Sequence, residues 1–104
     1  MHPDWPRAFA LAADIRAAGE AIVAAVRSGE INLDAAHAQA DAEPHTGRVF
    51  AVKVYEAVAG IGKVKARRTM ADIGLDDDVT LGGVPADKRN EITARFAEII
   101  AAAG

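Results

Sequence analysis

With 104 residues the chain is long enough for one modest core and too short for two independent domains, so a single domain over 1–104 is expected. Its 51% hydrophobic content is swollen by 25 alanines, the best helix former, which leans the composition towards an all-α fold of closely packed helices. The absence of cysteine removes disulfides, thiolate metal sites and cysteine nucleophiles, no apolar run reaches the length of about 18 residues needed to span a bilayer, and a net charge of −3 argues, averaged over the chain, against a nucleic-acid binder.

The start, Met1-His2-Pro3-Asp4-Trp5-Pro6, lacks the basic region and apolar stretch of a secretory signal, so a cytoplasmic protein is expected. A long helix is predicted over 4–28, with Asp4 as its cap and Pro6 tolerated in the first turn. Leu11, Ile15, Ala18, Ile22 and Val26 make one apolar stripe along it, and Gly29 stops it. A helical core is predicted over 32–104. Asn32 caps a short Ala-rich helix that runs to about Glu43 and is ended by Pro44. A third helix is predicted from about Gly47 to Val58, with Phe50, Val54 and Ala57 or Val58 as its buried stripe and Val52 and Tyr55 flanking. After the turn Gly60-Ile61-Gly62, a fourth helix runs from near Lys63 to Gly74 and buries Ala66, Thr69, Met70 and Ile73. Asp76 to Val84 reads as loop, and a last helix beginning near Pro85 carries the stripe Ile92, Phe96, Ile99 or Ile100, and Ala103.

Splitting the charge changes its meaning. Residues 1–45 carry a net −4, residues 46–70 a net +5, and residues 71–104 a net −4. The basic segment holds Arg48, Lys53, Lys63, Lys65, Arg67 and Arg68 against Glu56 alone. Within it, two glycines flank Ile61 between two helices. Glycine admits a positive φ and close backbone approach, and Ile61 can plug the core and pin the turn. The next helix then offers the free N–H groups of its first turn, a favourable place for a phosphate. On a helical wheel Lys63, Lys65, Arg67 and Arg68 lie on the half away from the buried stripe, where they can meet a nucleic-acid backbone.

Gly47, Glu56, Gly62, Lys63, Val64, Lys65, Ala66, Met70 and Gly74 fall without a gap on the pattern of the actinobacterial integration host factor family, which the stretch 47–74 resembles as a divergent member. The same turn resembles the helix-two-turn-helix of some ribosomal proteins and DNA glycosylases. The resemblance implies a long N-terminal helix packed on a small helical domain. It implies a nucleoid-associated protein that binds double-stranded DNA largely without reading sequence, and that bends or compacts it to assist recombination. It carries over Gly60, Ile61, Gly62, Lys63 and Lys65 as the backbone-contacting turn, with Arg48 as a neighbouring phosphate contact. Lys53, Arg67 and Arg68 complete the set of candidate nucleic-acid-binding residues. Where the family carries Arg-Arg-x-Arg-Gly-Leu-Gly, this chain has Val79-Thr80-Leu81-Gly82-Gly83-Val84-Pro85, preceded by Asp76-Asp77-Asp78. That departure supports a second reading: a helical protein-interaction module derived from the family, with weakened or lost DNA binding and a protein partner on the acidic N-terminal helix or C-terminal half.

The other chemistry-bearing residues form no recognisable set. His2, His37 and His45 share no ligand spacing and are expected at the surface. The aspartate run lacks the alternating spacing of a calcium loop, and Gly62-Lys63 is no Walker loop, because Ala57 and Val64 stand where glycine and a hydroxyl residue are required. Ser28 is the only serine. Trp5 and Phe9, four apart, are expected to staple the first helix to the body. A monomer that is not an enzyme, with no cofactor, no metal and no membrane association, is the expectation.

Overall fold

A computed structural model describes the backbone of residues 5–103 and the side chains of residues 10–103. His2, the expected Asp4 cap and the expected Trp5–Phe9 staple lie outside the described side chains. Six α-helices occupy the described residues: α1 (Trp5–Arg27), α2 (Leu33–Ala42), α3 (Pro44–Gly47), α4 (Ala51–Glu56), α5 (Gly62–Asp72) and α6 (Ala86–Ala103), with a 3-10 turn at Leu81–Gly83. Among these residues there is no strand, so the fold is all-α, as composition and periodicity indicate.

Helix α1 has 23 residues and therefore spans about 35 Å. Its stripe is buried only over its second half. Ile22 and Val26 are inside, Ile15 is half-covered, and Leu11 is exposed. The helix thus leans on α2, α3 and α4 with its C-terminal turns and extends past them with its N-terminal ones. Helix α2 begins as expected: the Asn32 carboxamide oxygen accepts from the Ala35 N–H at 2.8 Å. Pro44 does end α2, but it also opens α3, because a ring with fixed φ and no N–H suits a first helical position.

The third predicted helix needs correction. It starts at Ala51, not near Gly47, and Phe50 is not in its buried stripe. The reason is a pairing 30 residues along the chain. Phe50 forms an antiparallel bridge with Thr80, in which the Ala51 N–H donates to the Val79 carbonyl at 2.9 Å and the Leu81 N–H donates to the Val49 carbonyl at 2.7 Å. Extended backbone sends successive side chains to opposite sides. Val49 and Ala51 point into the core, so Phe50 points out and is 51% exposed.

The core is thin and built around few large side chains. Tyr55 packs edge-on against Phe96, with ring centroids 5.8 Å apart, and Met70, Leu81, Ile92 and Val54 complete its centre. Ala36, Ala51 and Ala66 are fully buried, so the helices pack closely at these small side chains. The stripe of α6 is buried at Ile92 and Phe96, half-covered at Ile99 and open at Ile100, so the helix leaves the body in its last turns. Close backbone crossing also explains Gly47. A Cβ there would stand 2.7 Å from the Ala40 carbonyl oxygen, which is backbone and cannot swing away. Gly47→Ala is therefore expected to cost about 1–3 kcal/mol by overpacking, read as a lower urea midpoint with an unchanged slope.

A second correction concerns His37, expected at the surface. It lies on the inner face of α2 with Leu33, Ala36 and Ala40, and is 3% exposed. Its Nε2 and the Tyr55 hydroxyl share a 2.8 Å hydrogen bond, while its Nδ1 has no partner among the described residues. Burial, aided by the Arg89 charge, lowers its pKa from 6.5 to about 4, so the ring is neutral at pH 7. Burial likewise raises the Tyr55 phenol above its ordinary value. The third histidine, His45, is partly exposed, with Nε2 at 3.9 Å from the Asp14 carboxylate on α1.

Candidate nucleic-acid interface

The turn between α4 and α5 has the form that its residues require. Gly60 and Gly62 have φ of +86° and +72°, a region that side-chain-bearing residues avoid. Ile61 between them is buried, as its apolar side chain predicts. A buried plug between two left-handed glycines folds the chain back on itself and leaves Gly62, Lys63, Val64 and Lys65 all exposed. Val64 is 68% exposed, a large apolar side chain standing in water at the start of a helix.

Those exposed residues form the first turn of α5. No side chain caps this end, and no acid lies in the first turn. Its N–H groups have no intrahelical acceptor, so they and the helix dipole together present positive potential outward. Lys63 and Lys65 stand on this turn and Arg68 on the next, all exposed and without an ion-pair partner among the described residues. On the opposite side of α5, Ala66, Thr69, Met70 and Ile73 are buried, as the helical wheel indicates.

Arg67 departs from the expectation of a solvent-facing base. Its Nε donates to the Glu56 carboxylate at 3.0 Å, and its Nη1 lies 3.9 Å from Asp77. Glu56 is mostly buried, so this pair ties α5 to the end of α4 and holds the turn between them. Arg67 thus supports the turn through Glu56.

Arg48 and Lys53 lie on a different surface from the turn. They border a groove of about 510 Å³ between α1 and the Val49–Lys53 segment. Ile15, Val23 and Val49 line it, and Phe50 stands at its edge. The candidate residues therefore divide into a turn group (Gly60, Ile61, Gly62, Lys63, Lys65, Arg67, Arg68) and a groove group (Arg48, Lys53). Lys65 and Arg68 also border a smaller cleft of about 350 Å³ against α6, where Arg95, Asp72 and Glu98 mix the charge.

One structural cation gave no sequence signal. Arg89 on α6 holds Asp41 on α2 with two hydrogen bonds of 2.7 and 2.8 Å, and donates to the carbonyls of Val84 at 2.8 Å and Gly82 at 3.2 Å. The guanidinium holds the Asp41 carboxyl below its usual value. This clasp fixes the 80–84 loop between α2 and α6, and so fixes the bridge that turns Phe50 outward. Its partners lie 48 residues apart, beyond any local pattern.

Among the described residues no helix is long and apolar enough to cross a membrane, and no three His, Asp or Glu side chains gather as a metal site. No protein-family model and no curated protein matches the chain. Among solved structures it is similar to sIHF bound to an 8 bp palindromic DNA, with 20% sequence identity and a TM-score of 0.70 over 85% of this chain and 96% of that one. At that identity the likeness is one of fold: this chain has the helical arrangement of sIHF.

Proposed function

We propose that the protein is a non-enzymatic, nucleoid-associated DNA-binding protein of the cytoplasm, a single domain over 1–104 that holds the phosphate backbone of duplex DNA largely without reading its sequence. One observation carries the reading: the open N-terminus of α5, free of caps and acids, is presented on the Gly60–Gly62 turn, with Lys63 and Lys65 on its first turn and Arg68 on the next, unpaired among the described residues. Exposed backbone N–H groups with cationic side chains on the same and the following turn suit a phosphate diester. Ile61 and Arg67 position the turn, one by plugging the core and one through Glu56. Arg48 and Lys53 add a second group of phosphate contacts, and two separated groups on one duplex favour bending it. The resemblance of residues 47–74 to integration host factors and the fold likeness to sIHF support the same reading.

The test is a salt series with labelled duplex. Wild type is expected to lose affinity steeply as salt rises. Lys63→Glu with Lys65→Glu is expected to weaken binding by roughly one to two orders of magnitude and to flatten the salt slope by about two units, one for each phosphate that is no longer neutralised. An unchanged slope in the double variant removes the turn from the interface.

A further inference from the structure

The groove beside α1 combines three features that the turn lacks. First, its edge carries an aromatic ring that the fold forces outward. Val49 and Ala51 are buried on either side of Phe50, and the bridge to Thr80 fixes the backbone, so the ring stays 51% exposed on a rigid support. Secondly, its lining is apolar at Ile15, Val23 and Val49, and Gly19 lets α1 come close to Val49, whose side chain a Cβ there would meet at 3.4 Å. Thirdly, both banks carry cations: Arg16 on α1, and Arg48 with Lys53 on the facing segment. None of the three is ion-paired among the described residues, and Glu20 is the single acid on the rim.

An apolar strip between two cationic banks has a chemical counterpart in the minor groove of a duplex. There, two rows of phosphates flank sugar faces and base edges. Proteins that enter it from this side insert an apolar wedge between base pairs and bend the duplex. A helix of a protein partner would need acids along both of its flanks to match the same banks. We propose that this groove is a second DNA contact, in which Phe50 wedges into a base step from the minor groove while Arg16 on one side and Arg48 with Lys53 on the other hold the flanking phosphates. The proposal rests on the DNA-binding reading and adds to it a residue, a groove and a mechanism of bending.

The wedge and its banks differ in their salt signature, because an aromatic side chain releases no counterions. The experiment uses the full chain and a duplex of about 20 bp with 2-aminopurine in a central TA step, a step that kinks easily, and with a fluorophore pair on its ends. Wild type is expected to brighten the 2-aminopurine and to bring the ends closer. Phe50→Ala is expected to abolish both signals and weaken binding roughly 5- to 100-fold, with an unchanged salt slope. Phe50→Trp restores both signals. Arg16→Glu with Lys53→Glu is expected to lower the salt slope by about two units. Phe50 is half-exposed, so each variant is checked for a native helical spectrum, and the charge pair tests the groove independently of the wedge.

If wild type binds no duplex at low salt, the DNA-binding reading itself fails. If wild type binds and the Lys63–Lys65 reversal weakens it, while the Phe50 and Arg16–Lys53 variants bind and bend as wild type does, the groove proposal is overturned together with the phosphate contact at Lys53, and DNA binding at the α5 turn stands. A sedimenting dimer that Phe50→Ala converts to monomer without any change in DNA binding also overturns it, by assigning the groove to a second copy of the chain.

Discussion

Replacing Phe96 by alanine is expected to cost about 3–5 kcal/mol. Phe96 is buried against Tyr55 in the core whose centre Met70, Leu81, Ile92 and Val54 complete. Removing the ring deletes its packing against Tyr55 and leaves a cavity that the surrounding core fills only in part. The ring is also one of two fully buried anchors of α6, the other being Ile92. A domain of this size holds only about 5–15 kcal/mol in total. The variant should therefore unfold at a much lower urea concentration, and its α6 amides should exchange faster than the rest of the fold. A loss under about 1 kcal/mol, the level of an ordinary surface change, would show that α6 is held chiefly by the Arg89–Asp41 clasp.

The second large effect is a loss of stability in mild acid. His37 has a pKa of 6.5 when unfolded and about 4 when folded. Between those values the unfolded state binds a proton that the folded state refuses. Stability is thus complete above about pH 6.5 and falls as pH drops towards 4. The shift corresponds to about 3 kcal/mol, at about 1.4 kcal/mol for each pH unit. Asp41 titrates lower, since Arg89 holds its carboxyl below the ordinary value, so its contribution is lost only in stronger acid. Urea unfolding at pH 7 and pH 4.5 reads the difference. His37→Gln, which keeps a polar group facing the Tyr55 hydroxyl but cannot titrate in this range, should flatten the dependence. If wild type and His37→Gln lose stability in parallel, the buried imidazole is not its source.

What the sequence made legible was local. Helical spacing identified the buried face of α5 at Ala66, Thr69, Met70 and Ile73, and the glycine pair with Ile61 identified the turn. Asn32 was readable as a cap because capping is decided within three residues. The misplaced features depend on partners far along the chain. Phe50 reads as core on a helical wheel, but its backbone pairs with Thr80 and is extended. His37 reads as a surface residue until Tyr55, 18 positions on, closes over it. Arg67 reads as a free base until Glu56 captures it. The candidate site was legible for the same reason as its helix: cations crowding one turn of an otherwise acidic chain are visible in one dimension. The groove was not, since Arg16, Arg48, Phe50 and Lys53 meet only when α1 folds back against the Val49–Lys53 segment.

If duplex DNA seats at the open end of α5, backbone amide shifts will locate it there. Titrating the labelled protein with a short duplex at low salt should move the N–H resonances of Gly62, Lys63 and Val64 first and furthest, with smaller shifts at Arg48 and Lys53. Shifts that spare the Gly60–Lys65 turn, or no shift at all at low salt, would contradict it.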